Sequence, residues 1–169
     1  MRTTFAVRTP SSIGRAPEIL NLRALELRDI ETVLAIQSVS PEIAQWTAAD
    51  YERIARGEMA GWVAEGEAGI VGFLVARALT GETEILNFAV RQDARHRGVG
   101  TALLTKALDW SRSVGADRVF LEVRASNEPA IQFYESHGFA PAGRRPRYYS
   151  APPEDALLLS FPLRESSAR

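Results

Sequence analysis

The sequence predicts an α/β (α+β) fold: a mixed central sheet of about seven strands with helices on both faces. Three observations lead there. The hydrophobic period switches between two and 3.6 residues several times along the chain. Two extended segments at 61–65 and 69–77 flank a short turn at Gly66-Glu67-Ala68, which is a hairpin signal. A strand, a long helix and a strand follow one another over 84–123, an order that implies a parallel pair with a right-handed crossover.

The elements follow in order. Residues 1–17 show no periodicity and carry Pro10, Gly14 and Pro17; they are expected to form a flexible N-terminal extension, with 18–169 as one domain. Ile19 to Leu25 is the first strand. Asp29 is expected to cap a helix over Ile30, Val33, Leu34 and Ile36, ended near Ser40-Pro41. Thr47 with Asp50 three residues on predicts a capping box for a second short helix through about Arg56. The hairpin comes next, then Glu84 to Val90 as the third strand of a meander. A helix runs from the glycines at 98 and 100 to about Val114, burying Val99, Leu103, Ala107, Trp110 and Val114. Val119 to Val123 is a short strand of buried residue types. Asn127 caps the next helix, with Pro129 in its first turn and His137-Gly138 at its end. Phe139 to Ala142 and Ala156 to Phe161 are the last strands, and Arg144 to Tyr149 is expected in the connection between them.

Composition narrows the function. The chain has 169 residues, 46% of them hydrophobic, enough for a packed core. Net charge is −1, which disfavours a generally basic nucleic-acid binder. Cysteine is absent, which removes disulfide scaffolds, thiolate metal sites and a cysteine nucleophile. With His96 and His137 alone, a histidine metal cluster is not expected, and no metal is assigned. No segment has the roughly 20 apolar residues of a membrane helix, and no secretory h-region precedes the fold. The expected location is cytoplasmic. Lys106 is the sole lysine, so phosphate contacts fall to arginine or to main chain.

The strongest motif is Arg95-His96-Arg97-Gly98-Val99-Gly100, followed by Thr101, between a strand and a helix. Two glycines at this spacing let the backbone approach a ligand, and amides at a helix start favour phosphate. A loop that merely needs glycine to turn is the plain alternative. The dinucleotide fingerprint fails because Leu103 stands where a small residue is needed, and the P-loop fails because Gly100 is followed by Thr101 without a lysine. No Gly-x-Ser-x-Gly elbow is present.

An Arg-x-x-Gly-x-Gly segment opening a helix after a strand resembles the acyl-CoA signature of the GNAT N-acetyltransferases, and the element order resembles theirs over about 18–163. Downstream, Leu121-Glu122-Val123-Arg124-Ala125-Ser126-Asn127, then Ala130-Ile131-x-Phe133-Tyr134-Glu135-Ser136-x-Gly138-Phe139, is similar to the bacterial ribosomal-protein-alanine N-acetyltransferases. Arg145-x-Arg147-Tyr148-Tyr149 and Glu154-Asp155-Ala156 match their C-terminal region. The N-terminal extension departs from that pattern.

The resemblance implies a GNAT fold whose fourth and fifth strands (84–90 and 119–123) splay into a slot for acetyl-CoA, the cosubstrate. Phe88, Ala89 and Val90 would line it. Arg95, His96, Arg97, Gly98, Val99, Gly100 and Thr101 would hold the pyrophosphate, and Asn127 would contact the cofactor. Arg91, Arg95, Arg97 and Arg124 would form a basic rim, or else are solvated surface charges. An attacking amine must be the free base. At pH 7.4 that costs about 0.5 kcal/mol for a peptide α-amine and about 4 kcal/mol for lysine. Glu122, a carboxylate in an apolar strand, is the candidate base; its alternative is a solvent-facing strand end. Tyr134, two helical turns beyond Asn127, is the candidate acid for the departing thiolate; its alternative is a core aromatic. Direct transfer in a ternary complex is expected. Acceptor selection is expected from residues near 37–47 and from 144–149, with Tyr148 and Tyr149 binding the substrate and Glu154 or Asp155 attracting a cationic amine. The acceptor is expected to be a protein or peptide N-terminus. A small amine is the rival acceptor, and a non-catalytic CoA-binding module is a third reading. No nucleic acid or membrane partner is expected.

Overall fold

The computed structural model describes residues 3–6 and 19–164. The elements are β1 Thr3–Ala6, β2 Ile19–Ala24, a 3-10 turn Leu27–Asp29, α1 Ile30–Ser38, α2 Ala48–Ala55, β3 Ala60–Gly66, β4 Gly69–Leu79, β5 Glu82–Val90, a 3-10 turn Gln92–Ala94, α3 Val99–Ser113, β6 Arg118–Arg124, α4 Glu128–Ser136, β7 Ala140–Ser150 and β8 Pro153–Pro162. The strands hydrogen-bond in the order β1-β2-β3-β4-β5-β6-β8-β7, a mixed sheet of eight. The eighth is β1, which lies inside the segment expected to be a flexible extension. It pairs antiparallel with β2 from Thr3↔Leu22 to Ala6↔Ile19. The rest of that segment, residues 1–2 and 7–17, lies outside the described residues.

The chain divides into two compact units. The first holds residues up to Ala76 and Asn87–Ala107. In it β2, β3 and β4 form an antiparallel meander, with a register shift at Ala64/Glu65. The alternation of β2 buries Leu20 and Leu22, and the core adds Val33, Ile36, Tyr51, Val63, Phe73, Leu74, Leu103 and Leu104. The capping box of α2 forms as expected: the Thr47 hydroxyl accepts from the Asp50 amide, and the Asp50 carboxylate accepts from the Thr47 amide at 2.8 Å.

Asp29 departs from expectation. It stands at the N-cap position of α1 but makes no cap bond to that helix. Its carboxylate is taken by the Arg23 guanidinium at 2.6 and 2.9 Å and by the Glu26 amide at 2.8 Å. A bidentate guanidinium outcompetes a single amide for the same oxygens. Arg23 also reaches Glu65 at 3.3 Å, so one guanidinium ties β2 and β3 to the turn before α1.

The second unit holds Arg77–Leu86 and the chain from Leu108. Here β5 pairs in parallel with β6 from Glu82↔Arg118 to Ile85↔Leu121, and β6 pairs antiparallel with β8 along its length. A buried hydroxyl pair, Thr83 to Ser111 at 2.7 Å, fixes the end of α3 over β5. Val114, expected on the buried face of this helix, is 47% exposed. The helix has already ended at Ser113, so helical spacing no longer applies to it. Residues 144–149, expected in a connection, belong to β7. Pairs Arg145↔Ala156 and Tyr149↔Glu154 place three residues of β7 opposite Asp155 alone. This bulge, with Pro146 inside it, breaks the alternation that would have revealed a strand.

Asp29 has a measurable role. Burial pushes its carboxyl up, but the Arg23 and Glu26 hydrogen bonds outweigh this and hold it below the usual range. A depressed folded-state pKa adds stability that is present above about pH 4, the unfolded value, and is lost as pH falls through the folded one. Asp29→Asn is expected to cost about 3 kcal/mol in urea unfolding at pH 7, because it takes from a largely buried guanidinium its nearer anion and leaves it Glu65 at 3.3 Å. The loss should shrink below pH 4.

Candidate active site

In the first unit the site is built where β5 ends. Phe88 and Val90 are half-buried and Ala89 is buried. The Arg91 amide donates to the Val71 carbonyl at 2.8 Å, holding this end of β5 to β4. The chain turns through Gln92–Ala94 and enters an exposed loop. His96 has φ +58° and Gly98 φ +80°. Left-handed backbone at a non-glycine residue such as His96 is uncommon, and with Gly98 it reverses the chain around Arg97 into the helix. The first intrahelical bond of α3 runs from the Ala102 amide to the Gly98 carbonyl at 3.0 Å. The amides of Val99, Gly100 and Thr101 precede it and lie at the positive end of the helix dipole. No acidic residue sits in the first turn. This donor set fits a pyrophosphate, the charged part of CoA. Val99 is 1% exposed, so its contribution there is main chain only.

Gly72 on β4 sets the position of this helix start. A Cβ there would stand 3.0 Å from the Ala89 carbonyl oxygen, 3.2 Å from Leu103 and 3.3 Å from Val99. The missing side chain lets α3 lie directly on the β4–β5 ladder.

The arginines expected at the rim are engaged in different ways. Arg91 pairs with Asp93 at 2.5 Å. Arg95 donates to the Val90 carbonyl at 3.0 Å and to Glu42 at 3.2 Å. Arg97 is exposed. Arg124 belongs to the second unit. It bonds Glu154 at 3.3 Å and the carbonyls of Ala151 and Pro152, and lies over the Tyr149 ring at 4.1 Å. It braces the β7–β8 turn.

The second unit carries the titratable groups. Glu122 leaves β6 with its side chain 11% exposed and accepts a charge-assisted bond from Arg145 at 2.7 Å. The Tyr148 hydroxyl also donates to it; that bond, then burial and the Glu122 charge, raise the Tyr148 pKa. Glu122 is therefore no solvated strand end. Tyr149 is raised too, by burial first and then by Glu122. Asn127 caps α4 by accepting from the Ala130 amide at 3.3 Å. Tyr134 is buried against Phe133 and Phe139, with ring centroids at 5.3 and 5.4 Å. Burial lifts its pKa, so the phenol keeps its proton at any ordinary pH. Glu154 and Asp155, expected to attract a cation, are spent internally. Glu154 accepts from the Ser126 amide at 2.5 Å, and Asp155 accepts from Arg144 at 2.6 Å and the Arg147 amide at 2.8 Å.

Two features escaped sequence reasoning. One is the Arg145–Glu122–Tyr148 cluster, which depends on the β7 bulge. The other is a buried polar network in the first unit. Tyr51 donates to Gln37 at 2.7 Å, and the Asn87 amide donates to the Tyr51 oxygen at 3.1 Å and to the Ala44 carbonyl at 3.0 Å. It ties residues 37–47 to β5. A signal for it existed, since Asn87 is polar at a buried position of the Ile85, Asn87, Ala89 alternation.

With this geometry in view, the comparisons are specific. The acetyltransferase (GNAT) family model matches residues 23–139. An N-alpha-acetyltransferase of Sulfurisphaera tokodaii is 31% identical over 84% of this chain and 92% of its own. The alanine N-acetyltransferase of ribosomal protein bS18 from Escherichia coli is 36% identical over 56% of this chain and 65% of its own. The crystal structure of Ard1 from Thermoplasma volcanium superposes with a TM-score of 0.77 at 32% identity, covering 86% of this chain and 99% of that one. The chain belongs to the GNAT acetyltransferase family. It is an N-acetyltransferase with a mixed α/β fold.

Among the described residues no group of three or more His, Asp or Glu is placed to hold a metal ion. Among the described residues no helix is long and apolar enough to cross a membrane.

The close approach at Gly72 is directly testable. Gly72→Ala is expected to cost about 1–3 kcal/mol in urea unfolding, the usual penalty of overpacking. It should also weaken CoA binding by shifting the start of α3. A variant with unchanged stability and CoA affinity would show that the helix does not depend on this contact.

Proposed function

We propose that the protein transfers acetyl from acetyl-CoA to the N-terminal α-amine of a protein, by direct attack of the amine on the thioester. What carries this reading is the 31% identity, over 84% of the chain, to a relative named for α-amine acetylation. The amides of Gly98 to Thr101, with Arg95, His96 and Arg97, hold the pyrophosphate, and the main chain of Phe88, Ala89 and Val90 binds the pantetheine and acetyl groups. Asn127 contacts the cofactor from the start of α4.

Glu122 takes the proton of the attacking amine. As the nitrogen bonds the acetyl carbon, the C–S bond breaks and the sulfur leaves with the electron pair. The Tyr134 hydroxyl supplies a proton to that thiolate; its raised pKa keeps it in the donor form. An α-amine suits a carboxylate base because only about 0.5 kcal/mol separates it from its free form at pH 7.4. Tyr148 and Tyr149 hold the backbone of the acceptor. The enzyme works in the cytoplasm, where acetyl-CoA and new N-termini meet, and needs no metal.

Peptides with an N-terminal alanine, the same peptides blocked at the α-amine but carrying lysine, and a polyamine should be incubated with acetyl-CoA and analysed by mass spectrometry. Acetyl is expected on the α-nitrogen of the free peptides. Turnover of the polyamine orders of magnitude above any peptide would replace this reading with a small-amine acetyltransferase. Binding of CoA without any transfer would favour a non-catalytic module. Glu122→Gln should lower kcat by about 10²- to 10⁴-fold while leaving CoA affinity within threefold. An unchanged rate would remove Glu122 from the chemistry.

A further inference from the structure

The carboxylate on β6 is covered by a cation. Glu122 is 11% exposed, whereas the Arg145 guanidinium that bonds it at 2.7 Å is 59% exposed. The arginine is the solvent-side partner. Its guanidinium lies over the Tyr148 ring, with the guanidinium carbon 5.6 Å from the ring centroid. The second partner of Glu122 is the Tyr148 hydroxyl. The carboxylate thus lies under two exposed partners, a phenol that is 50% exposed and a cation that blocks it.

The bulge of β7 makes this arrangement. Between Arg145↔Ala156 and Tyr149↔Glu154 the strand has three residues against one. Arg147 takes φ +51°, and Asp155 fixes the bulge through the Arg147 amide and the Arg144 guanidinium. Arg145 and Tyr148 both reach Glu122 because of this local shift. Arg144 and Arg124, the other arginines nearby, are held by Asp155 and Glu154. Arg145 is the one of the three that is spent on the carboxylate proposed as base.

We propose that Arg145 is a displaceable cap that occupies the ammonium position on Glu122, so that a cationic acceptor binds in competition with it. This rests on the reading of Glu122 as the acceptor-facing base. An ammonium and a guanidinium seek the same oxygen, and a pair with one partner this exposed is weak enough to exchange. Tyr148 keeps the carboxylate in place when the arginine swings out, so orientation survives the exchange. Arg145 therefore raises the acceptor concentration needed for turnover without assisting the chemical step.

The test is calorimetric titration of the full chain, saturated with CoA, by a peptide with an N-terminal alanine. Arg145→Gln removes the charge and keeps a polar stem; Arg145→Met keeps only the stem; Arg145→Lys keeps the charge. The Gln and Met variants are expected to bind peptide about three- to tenfold more tightly, with KM lowered by the same factor and kcat within twofold. The Lys variant should stay near the parent. In a Glu122→Gln background the gain from Arg145→Gln should vanish, since the shared partner is gone. Peptide affinity unchanged or weakened in folded Gln and Met variants would overturn the cap. So would a fall in kcat at constant affinity, which would make Arg145 a positioning residue. Failure of the underlying reading looks different: Glu122→Gln alone would then keep its turnover, whatever the binding cycle gives.

Discussion

The approach of α3 to β4 at Gly72 is the constraint on which the first unit depends. A helix presents its leading amides to a ligand only if its start is held in place. Here it is held by contact. Val99 and Leu103 lie against the bare Cα of Gly72, and the Ala89 carbonyl lies beside them. The left-handed backbone at His96 and Gly98 follows from the same geometry, since the chain must reverse in the four residues between the 3-10 turn at Gln92–Ala94 and the helix. Strain in that loop is tolerated because both of its ends are packed.

Charge organises the second unit. β6 would be a plain buried strand were it not for Glu122, whose carboxylate is costly to bury alone. Tyr148 and Arg145 lower that cost from β7. Arg124, Glu154 and the Ser126 amide form a second cluster, and Asp155 with Arg144 a third. Each of these carboxylates has a nearby cation, and Arg144 on Asp155 is as exposed as Arg145 on Glu122; Glu122 differs in having a tyrosine hydroxyl, where Glu154 and Asp155 have a main-chain amide, as its second partner.

Most of the element order was legible in the sequence, because periodicity and capping residues act locally. The Thr47–Asp50 box, the Asn127 cap and the 60–79 hairpin all form from neighbours in the chain. What was not legible depended on distant partners. Asp29 looked like a helix cap until Arg23, on β2, took its oxygens. Residues 144–149 looked like a loop because Pro146 and a bulge hide the alternation of β7. The short β1 has only four residues and sits among prolines and glycines, too brief for a period to show. At the site, the glycine loop and Glu122 stood out by residue type, whereas Arg145 became visible only once the bulge aimed it.

The central claim is that main-chain amides at the start of α3 grip a pyrophosphate. Its most direct measurement is calorimetric titration of the folded chain with CoA and, separately, with phosphopantetheine, which lacks the pyrophosphate bridge. The account predicts saturable one-site binding of CoA at least tenfold tighter than that of phosphopantetheine. Equal affinities, or no saturable heat with CoA, would contradict it.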